Sequence, residues 1–447
     1  MRSIESLKDQ NILLFGKPRA FDAQEFTYQL QDSGISLVKS YEDSVALIVE
    51  GRLLTPYEQN ELDSLYELGH QKKFISIDAF ETLLIENIDE DTLLMSLKLS
   101  HDKDRLASYL KNSQINDTLF LKLLKLYDWQ DEGFFDNDEN RDITAALISR
   151  FYENIEQNHN VQYATLGLMH LVEQTKNSDL IEVIASLQPL KKGFSNQSLY
   201  AVLLAIARNV ATPDSVLKIF LKNGTLEMKY LIASRKNLSA NLQQLIFLQN
   251  DETLSEALCK NENIDPSLIE KLQEKYPDLL AQYLRLDESL FEMFLQKSPL
   301  ALALNTTLTC KMQEKLLELT NIDVAKGLTC NAKLCETVAQ RLLQLDDDAV
   351  NILLFANPVL KEEYLYQAYS EQKYHLSLAQ NENTPVDVLE KLGSSKEFAV
   401  LQALCTNTKT PLALLYELRL DQRLDRLVSE NESFGEYIKT QNLGWKI

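Results

Sequence analysis

Aliphatic and small residues recur at fixed offsets around a repeated asparagine down the second half of the chain, at Asn209, Asn261, Asn305, Asn331, Asn357, Asn381, Asn407 and Asn431. Three residues before each stands an aliphatic side chain: Ile206, Leu258, Leu302, Leu328, Leu354, Leu378, Leu404 and Val428. Two before it the residue is small, as at Ala207, Cys259, Ala303 and Cys405, with Phe355 the exception. Seven and eleven after it come further apolar positions, Val388 and Leu392 in the clearest copy. The spacing is mostly 24 or 26 residues. Arg235 holds the asparagine position between 209 and 261, and the gap from 261 to 305 fits two shortened units, one of them containing Leu290 and Phe294. A period in this range predicts an array whose units bury their apolar faces only against their neighbours.

The offsets also predict local structure. Apolar residues four apart share one helical face. Thr212-Pro213, Thr384-Pro385 and Thr410-Pro411 place a capping hydroxyl before a proline suited to a first helical turn, and Thr384 with Asp387 approximates a capping box. Turns follow at Gly393-Ser394-Ser395, Asn250-Asp251 and Asp346-Asp347-Asp348, and a second short helix ends at the asparagine, which tolerates the left-handed conformation. Each unit is expected to be a helical hairpin.

These residues resemble the leucine-rich repeat variant family, whose units are similar to the Asn-x-x-Thr-Pro-x-x-Val-Leu-x-x-Leu at 381 to 392 and to its neighbour at 407 to 418. The resemblance covers about residues 200 to 435 and implies a superhelical all-α solenoid of paired short helices. One branch of the family is associated with an iron-sulfur cluster on a Cys-rich segment; this sequence has no such segment, and no cofactor is implied. Asn112, Ile115, Leu119 and Leu123 repeat the pattern once upstream, and residues 140 to 207 read as amphipathic helices without a clean register.

The N-terminal part has another rhythm. Strands at Ile12 to Phe15, Ile35 to Ser40, Ser44 to Val49 and Phe74 to Ser76 alternate with helices at Phe21 to Leu30, Leu54 to Leu68, ended by Gly69, and Asp78 to Leu84, capped by Asp78. Alternation at these lengths predicts a small parallel sheet. The order, with Leu14-Phe15-Gly16-Lys17, the Ser33-Gly34 turn, Ala46-Leu47-Ile48-Val49 and Phe74-Ile75-Ser76-Ile77-Asp78-Ala79-Phe80, resembles the BRCT domain in its bacterial branch. That resemblance covers about residues 9 to 88 and implies a module for binding proteins, phosphopeptides or DNA ends. Its phosphopeptide-binding members carry a hydroxyl where Phe15 stands and a lysine on the second helix, which here has none, so phosphate recognition is not expected. The expected division is 1–90 for this α/β domain, 91–200 for irregular helical repeats and 201–447 for the solenoid.

Composition narrows the function. With 66 acidic against 45 basic residues the net charge is -21, a field that repels nucleic acid and anionic lipid, so direct nucleic-acid binding is not expected. The basic spots, Lys17 with Arg19, Lys72 with Lys73, and Arg419, Arg423 and Arg426, read mainly as solvated surface, the last group interleaved with Asp421 and Asp425. No signal peptide or long apolar run occurs, which gives a cytoplasmic protein without membrane association as the default expectation.

Five cysteines without framework spacing agree with a reducing compartment. Cys330 and Cys335 form the only close pair in sequence and lack a nearby His, so no metal is expected. The five His residues stand apart, and neither a glycine-rich phosphate loop nor a GxSxG elbow occurs. No catalytic residues are assigned and the chain is read as a non-enzyme. The acidic run Asp128 to Asp142 reads as a solvated loop anchored by aromatics. Candidate binding residues are Lys17, Arg19, Trp129, Phe134 and Phe135. The expected function is a non-catalytic adaptor for unidentified protein partners, with a replication or repair factor recruited through the BRCT-like domain as the alternative.

Overall fold

Near-continuous apolar runs form the centre of the N-terminal sheet. The computed structural model describes residues 3–67, 73–152 and 165–440. Strands β1 (Asn11–Phe15), β2 (Ser36–Val38), β3 (Val45–Glu50) and β4 (Lys73–Ser76) are all parallel, in the order β2-β1-β3-β4. Ile12, Leu47, Ile48 and Val49 on the two central strands are buried, as central positions of a parallel sheet require. Helix α1 (Ala23–Asp32) joins β1 to β2, a short loop joins β2 to β3, α2 (Pro56–Glu67) joins β3 to β4, and α3 (Ile77–Glu86) follows the sheet. A capping box opens α2: the Thr55 amide and hydroxyl each donate to Glu58 Oε2 at 2.7 Å, and the Glu58 amide donates back to Thr55 Oγ1 at 3.3 Å. Ser76, not Asp78, caps α3, its Oγ accepting from the Ala79 amide; Asp78 sits inside the first turn and pairs with Arg19. Gly69 and Lys72 lie outside the described residues.

The chain divides into two compact units, Met1–Ile232 and Ala233–Ile447. In the first, α3 is followed by α4 (Glu90–Ser100), α5 (Lys103–Lys111), α6 (Asp117–Leu124) and α7 (Asp138–Phe151), and further helices occupy 165–223. The acidic run is therefore loop only up to Asn137, which caps α7; Asp138 and Glu139 sit in the first helical turn, where the helix dipole favours negative charge. A buried polar cluster ties the sheet layer to this helical part. Glu25 on α1, 4% exposed, accepts from Arg105 Nε at 2.6 Å and Nη2 at 3.1 Å, from the Tyr109 hydroxyl at 2.5 Å and from Gln29 Nε2 at 2.7 Å. Burial, reinforced by the Glu25 charge, pushes the Tyr109 phenol far above its ordinary value.

The second unit is built of helical hairpins. Cys310–Leu317 and Ile322–Thr329 precede Asn331, Glu336–Leu343 and Asp348–Phe355 precede Asn357, and Val386–Leu392 and Phe398–Thr406 precede Asn407. Two short hairpins fill the gap between 261 and 305: Pro266–Leu272 with Pro277–Tyr283, and Glu288–Lys297 with Pro299–Ala303. The asparagines form a ladder. Asn381 Nδ2 donates to the Phe355 and Asn357 carbonyls at 2.8 and 2.9 Å, and Asn407 Nδ2 to those of Ala379 and Asn381 at 2.9 and 3.0 Å. Asn331, Asn357 and Asn431 do the same one repeat back. Each Oδ1 accepts a nearby amide of its own turn, Asn383 at 2.8 Å for Asn381. Carbonyls left over at each helix end thus gain a partner from the next repeat.

The ladder corrects three expectations. Asn381 and Asn407 are extended, with φ -80 and -73, because that backbone lets Oδ1 close the turn while Nδ2 reaches the preceding repeat. The left-handed residues of this unit, Asn250, Thr320, Asp346, Gln372 and Tyr374, lie at the other turn of four of the hairpins. Pro385 and Pro411 occupy the capping position themselves; the hydroxyls of Thr384 and Thr410 instead donate to the Leu378 and Leu404 carbonyls at 2.6 and 2.7 Å. Asp387 closes no capping box, binding Lys391 and the Tyr366 hydroxyl.

The small position next to the ladder yields a stability prediction. Cys405 and Leu404 are both fully buried. Cys405→Ala should cost less than about 1.5 kcal/mol, as a small volume change, whereas Leu404→Ala should cost about 2 to 5 kcal/mol. Urea unfolding of the full chain checks the order; equal losses would mean that the column is not tightly packed.

Candidate interaction sites

The loop after β1 carries the candidate residues Lys17 and Arg19. Gly16 takes a positive φ of 76°, and Lys17 and Arg52 exchange backbone hydrogen bonds at 2.7 and 2.8 Å, so a Cβ on Gly16 would sit 2.5 Å from the Arg52 carbonyl oxygen. The loop amides point inward to two carboxylates. The Gly16 amide donates to Glu58 Oε1 at 3.1 Å. The amides of Arg19, Ala20 and Phe21 converge on the Glu81 carboxylate at 2.9 to 3.2 Å. Glu81 is fully buried, so these amides already cradle an anion belonging to the chain. Arg19 Nη1 is paired with Asp78 at 2.9 Å, and Lys17 is exposed. Glu81 was legible as a charge on an apolar stripe, since Ile77, Phe80, Glu81 and Leu84 share one face of α3.

The aromatic candidates are placed differently. Trp129 and Phe134 are each 1% exposed; Trp129 packs edge-on against Tyr127 and Phe134 with ring centroids 4.9 and 5.0 Å apart. They are core side chains that hold the segment down, which removes them as a docking face and leaves only Phe135 partly exposed. The Thr144 hydroxyl donates to the Phe134 carbonyl and the Tyr127 hydroxyl to Asn140 Oδ1, fixing the segment on α7. Arg419, Arg423 and Arg426 pair with Asp425, Asp421 and Glu430.

Cysteine placement departs from the expectation of reduced thiols without framework spacing. Cys310 and Cys335, one at the first position of its helix and the other capping the equivalent helix one repeat on, form a disulfide. Their separation of 25 residues, close to the repeat period, was the signal available in the sequence. Cys330 is free and exposed. Burial pushes the Cys259 thiol up to about 12 and the Cys405 thiol up to about 11, so both stay protonated and unreactive at neutral pH.

A groove of about 550 Å³ opens in the second unit where the ladder is irregular. Here Asn305 donates to the Ala281 and Leu284 carbonyls, so a leucine occupies the place of an asparagine. Leu238, Ile264, Ile269, Leu284, Leu286 and Leu290 line the groove, with Glu262, Asp265, Asp287 and Arg285 around them. Gln243 bridges the hairpins beneath, its Nε2 donating to the Leu238 and Asn263 carbonyls and its Oε1 accepting from the Asp265 amide; Gln313 repeats the bridge to Lys333 and Cys335. These glutamines stand eight residues after the ladder position, where the other repeats carry Ala, Ile or Leu. Among the described residues, no group of three or more His, Cys, Asp or Glu is placed to hold a metal ion, and no helix is long and apolar enough to cross a membrane. No family model, curated protein or solved structure matches this chain.

Proposed function

We propose that the chain is a non-catalytic protein-interaction scaffold, in which a leucine-rich-repeat-variant-like solenoid presents binding surface and the BRCT-like sheet domain adds a second contact. The groove between residues 238 and 290 carries this reading. It is lined by six aliphatic side chains, of which Leu286 and Leu290 are partly exposed, and rimmed by three carboxylates and one guanidinium, which suits a partner segment with an apolar anchor and basic flanks. Glu58 and Glu81, which already occupy the amides of the β1 loop, support a reading of protein recognition there without phosphate.

Co-purification from nuclease-treated and untreated lysate, read by mass spectrometry, tests the proposal when run beside Leu290→Asp. Leu290 is half-buried at the groove rim, so the variant should keep the helical circular dichroism spectrum and lose at least about tenfold in partner recovery. Recovery unchanged by Leu290→Asp would overturn the groove assignment. Partners that vanish on nuclease treatment would favour the alternative, a replication or repair factor held on nucleic acid.

A further inference from the structure

Cys310 and Cys335 stand at the starts of two helices in consecutive hairpins, Cys310–Leu317 and Glu336–Leu343, with Cα atoms 5.5 Å apart. Cys310 comes five residues after the ladder asparagine of its repeat and Cys335 four after the next one. The same two offsets face each other across the following junction, where Glu336 and Lys361 form an exposed ion pair at 2.5 Å. Such a pair contributes little, so this edge of the array closes there without a covalent bond. At the cysteine junction the two repeats are already tied by polar contacts. Gln313 Nε2 donates to the Lys333 carbonyl and Gln313 Oε1 accepts from the Cys335 amide, both at 2.8 Å, and Asn331 Nδ2 donates to the Ala303 and Asn305 carbonyls. Gln243 makes the equivalent bridge where Ala240 and Asp265 stand in place of the cysteines. The disulfide is therefore added to a junction that non-covalent contacts close elsewhere on their own.

We propose that Cys310 and Cys335 are a reversible redox site, passing between disulfide and dithiol by exchange with a small thiol, whatever the array binds. Exchange needs access to one sulfur and a good leaving thiolate at the other. Cys310 is exposed and Cys335 half-buried, so the incoming thiolate attacks Cys310 Sγ. The bond between the two cysteines breaks with its electron pair on Cys335 Sγ. That residue occupies the capping position of Glu336–Leu343, where no side chain accepts from the first-turn amides, and a helix start favours a thiolate. Cys335 then takes a proton from water, and a second small thiolate displaces Cys310 from the mixed disulfide. In the balance, two small thiols are oxidised to one small disulfide, the protein disulfide is reduced to two thiols, and the two protons pass to Cys310 and Cys335. Oxidation runs the same steps backwards, with the small disulfide as oxidant. Because each repeat of such an array touches only its neighbours, the bond fixes the spacing of this one pair of hairpins.

The experiment equilibrates the full chain with graded ratios of reduced to oxidised glutathione, quenches with acid, alkylates the thiols and maps the peptides by mass spectrometry. Half-oxidation of the pair is expected within the series, reached equally from reduced and from oxidised protein. Alkylation after denaturation should rise from three thiols, Cys259, Cys330 and Cys405, to all five. The helical circular dichroism spectrum should be the same at both ends, while amide exchange across 306–343 should quicken at least about threefold on reduction. Cys330→Ser should titrate as the native chain does, and Cys310→Ser should match the reduced protein in exchange. The proposal is overturned if the bond survives the most reducing ratio, which would make it a permanent staple, or if it is absent at the most oxidising one. Pairing of Cys330 with either partner, or unfolding on reduction, would overturn it as well, and neither reading depends on a variant.

Discussion

Asn381→Ala should destabilise the second unit by about 3 to 5 kcal/mol, more than most substitutions of a single polar side chain. Asn381 is fully buried, and truncation strands the carbonyls of Phe355 and Asn357 together with the Asn383 amide. No water-exposed conformation relieves them without separating two hairpins. Asn381→Asp should cost at least as much at neutral pH, since a carboxylate keeps the acceptor for Asn383 but sets negative charge against two carbonyls. The control is Asn261→Ala, at a rung where Nδ2 contacts the Arg235 carbonyl, and a smaller loss of about 1 to 3 kcal/mol is expected there. Urea unfolding with hydrogen exchange across residues 350–410 distinguishes global from local loss, which matters because repeat arrays need not unfold as one transition. A loss below about 1 kcal/mol for Asn381→Ala would reduce the ladder to a consequence of packing.

The second large effect belongs to Glu25. Glu25→Ala leaves the Arg105 guanidinium, 14% exposed, without its carboxylate, and should cost about 3 to 5 kcal/mol. Arg105 retains the Ser96 hydroxyl at 2.9 Å and the faces of the Tyr28 and Tyr109 rings, none of which carries a compensating charge. Replacing both charges with apolar residues, Glu25→Leu with Arg105→Met, should recover at least half of the loss, because desolvation of an ion pair offsets most of its attraction. Trp129, buried in the same unit, provides a fluorescence signal for the unfolding. If the double variant is as damaged as the single one, the Tyr109 hydroxyl and Gln29 amide, left only with their mutual bond at 2.7 Å, and not the charges, dominate the cluster.

Much of the architecture was legible because it depends on periodicity. Offsets of three, two, seven and eleven residues around the asparagine specify which side chains face inward, and Leu378, Ala379, Val388 and Leu392 are all buried as the pattern requires. The helical stretches between β1 and β2 and between β3 and β4 likewise specify parallel neighbours, since strands joined by a helix cannot pair as a hairpin. Even the irregular stretch between 261 and 305 kept enough spacing to be divided into two hairpins.

What the sequence could not express was the direction of each polar group. An asparagine at a helix end is compatible with a left-handed cap or with an extended residue bridging two repeats; only the neighbouring carbonyls, 24 to 28 residues away in Asn331 to Asn431, select the second. Trp129 and Phe134 looked like anchors on an acidic loop, and the fold turned them into core because α7 begins at Asp138 and closes over them. Glu81 and Glu25 are single carboxylates in sequence, while in three dimensions one holds the β1 loop by its amides and the other joins the sheet layer to the first helices. The sequence by itself determined the helical hairpin, its period and its buried face, because those follow from local spacing. Tertiary structure alone decided which amides and carboxylates are spent internally, because a hydrogen bond between repeats depends on a partner that local sequence does not name.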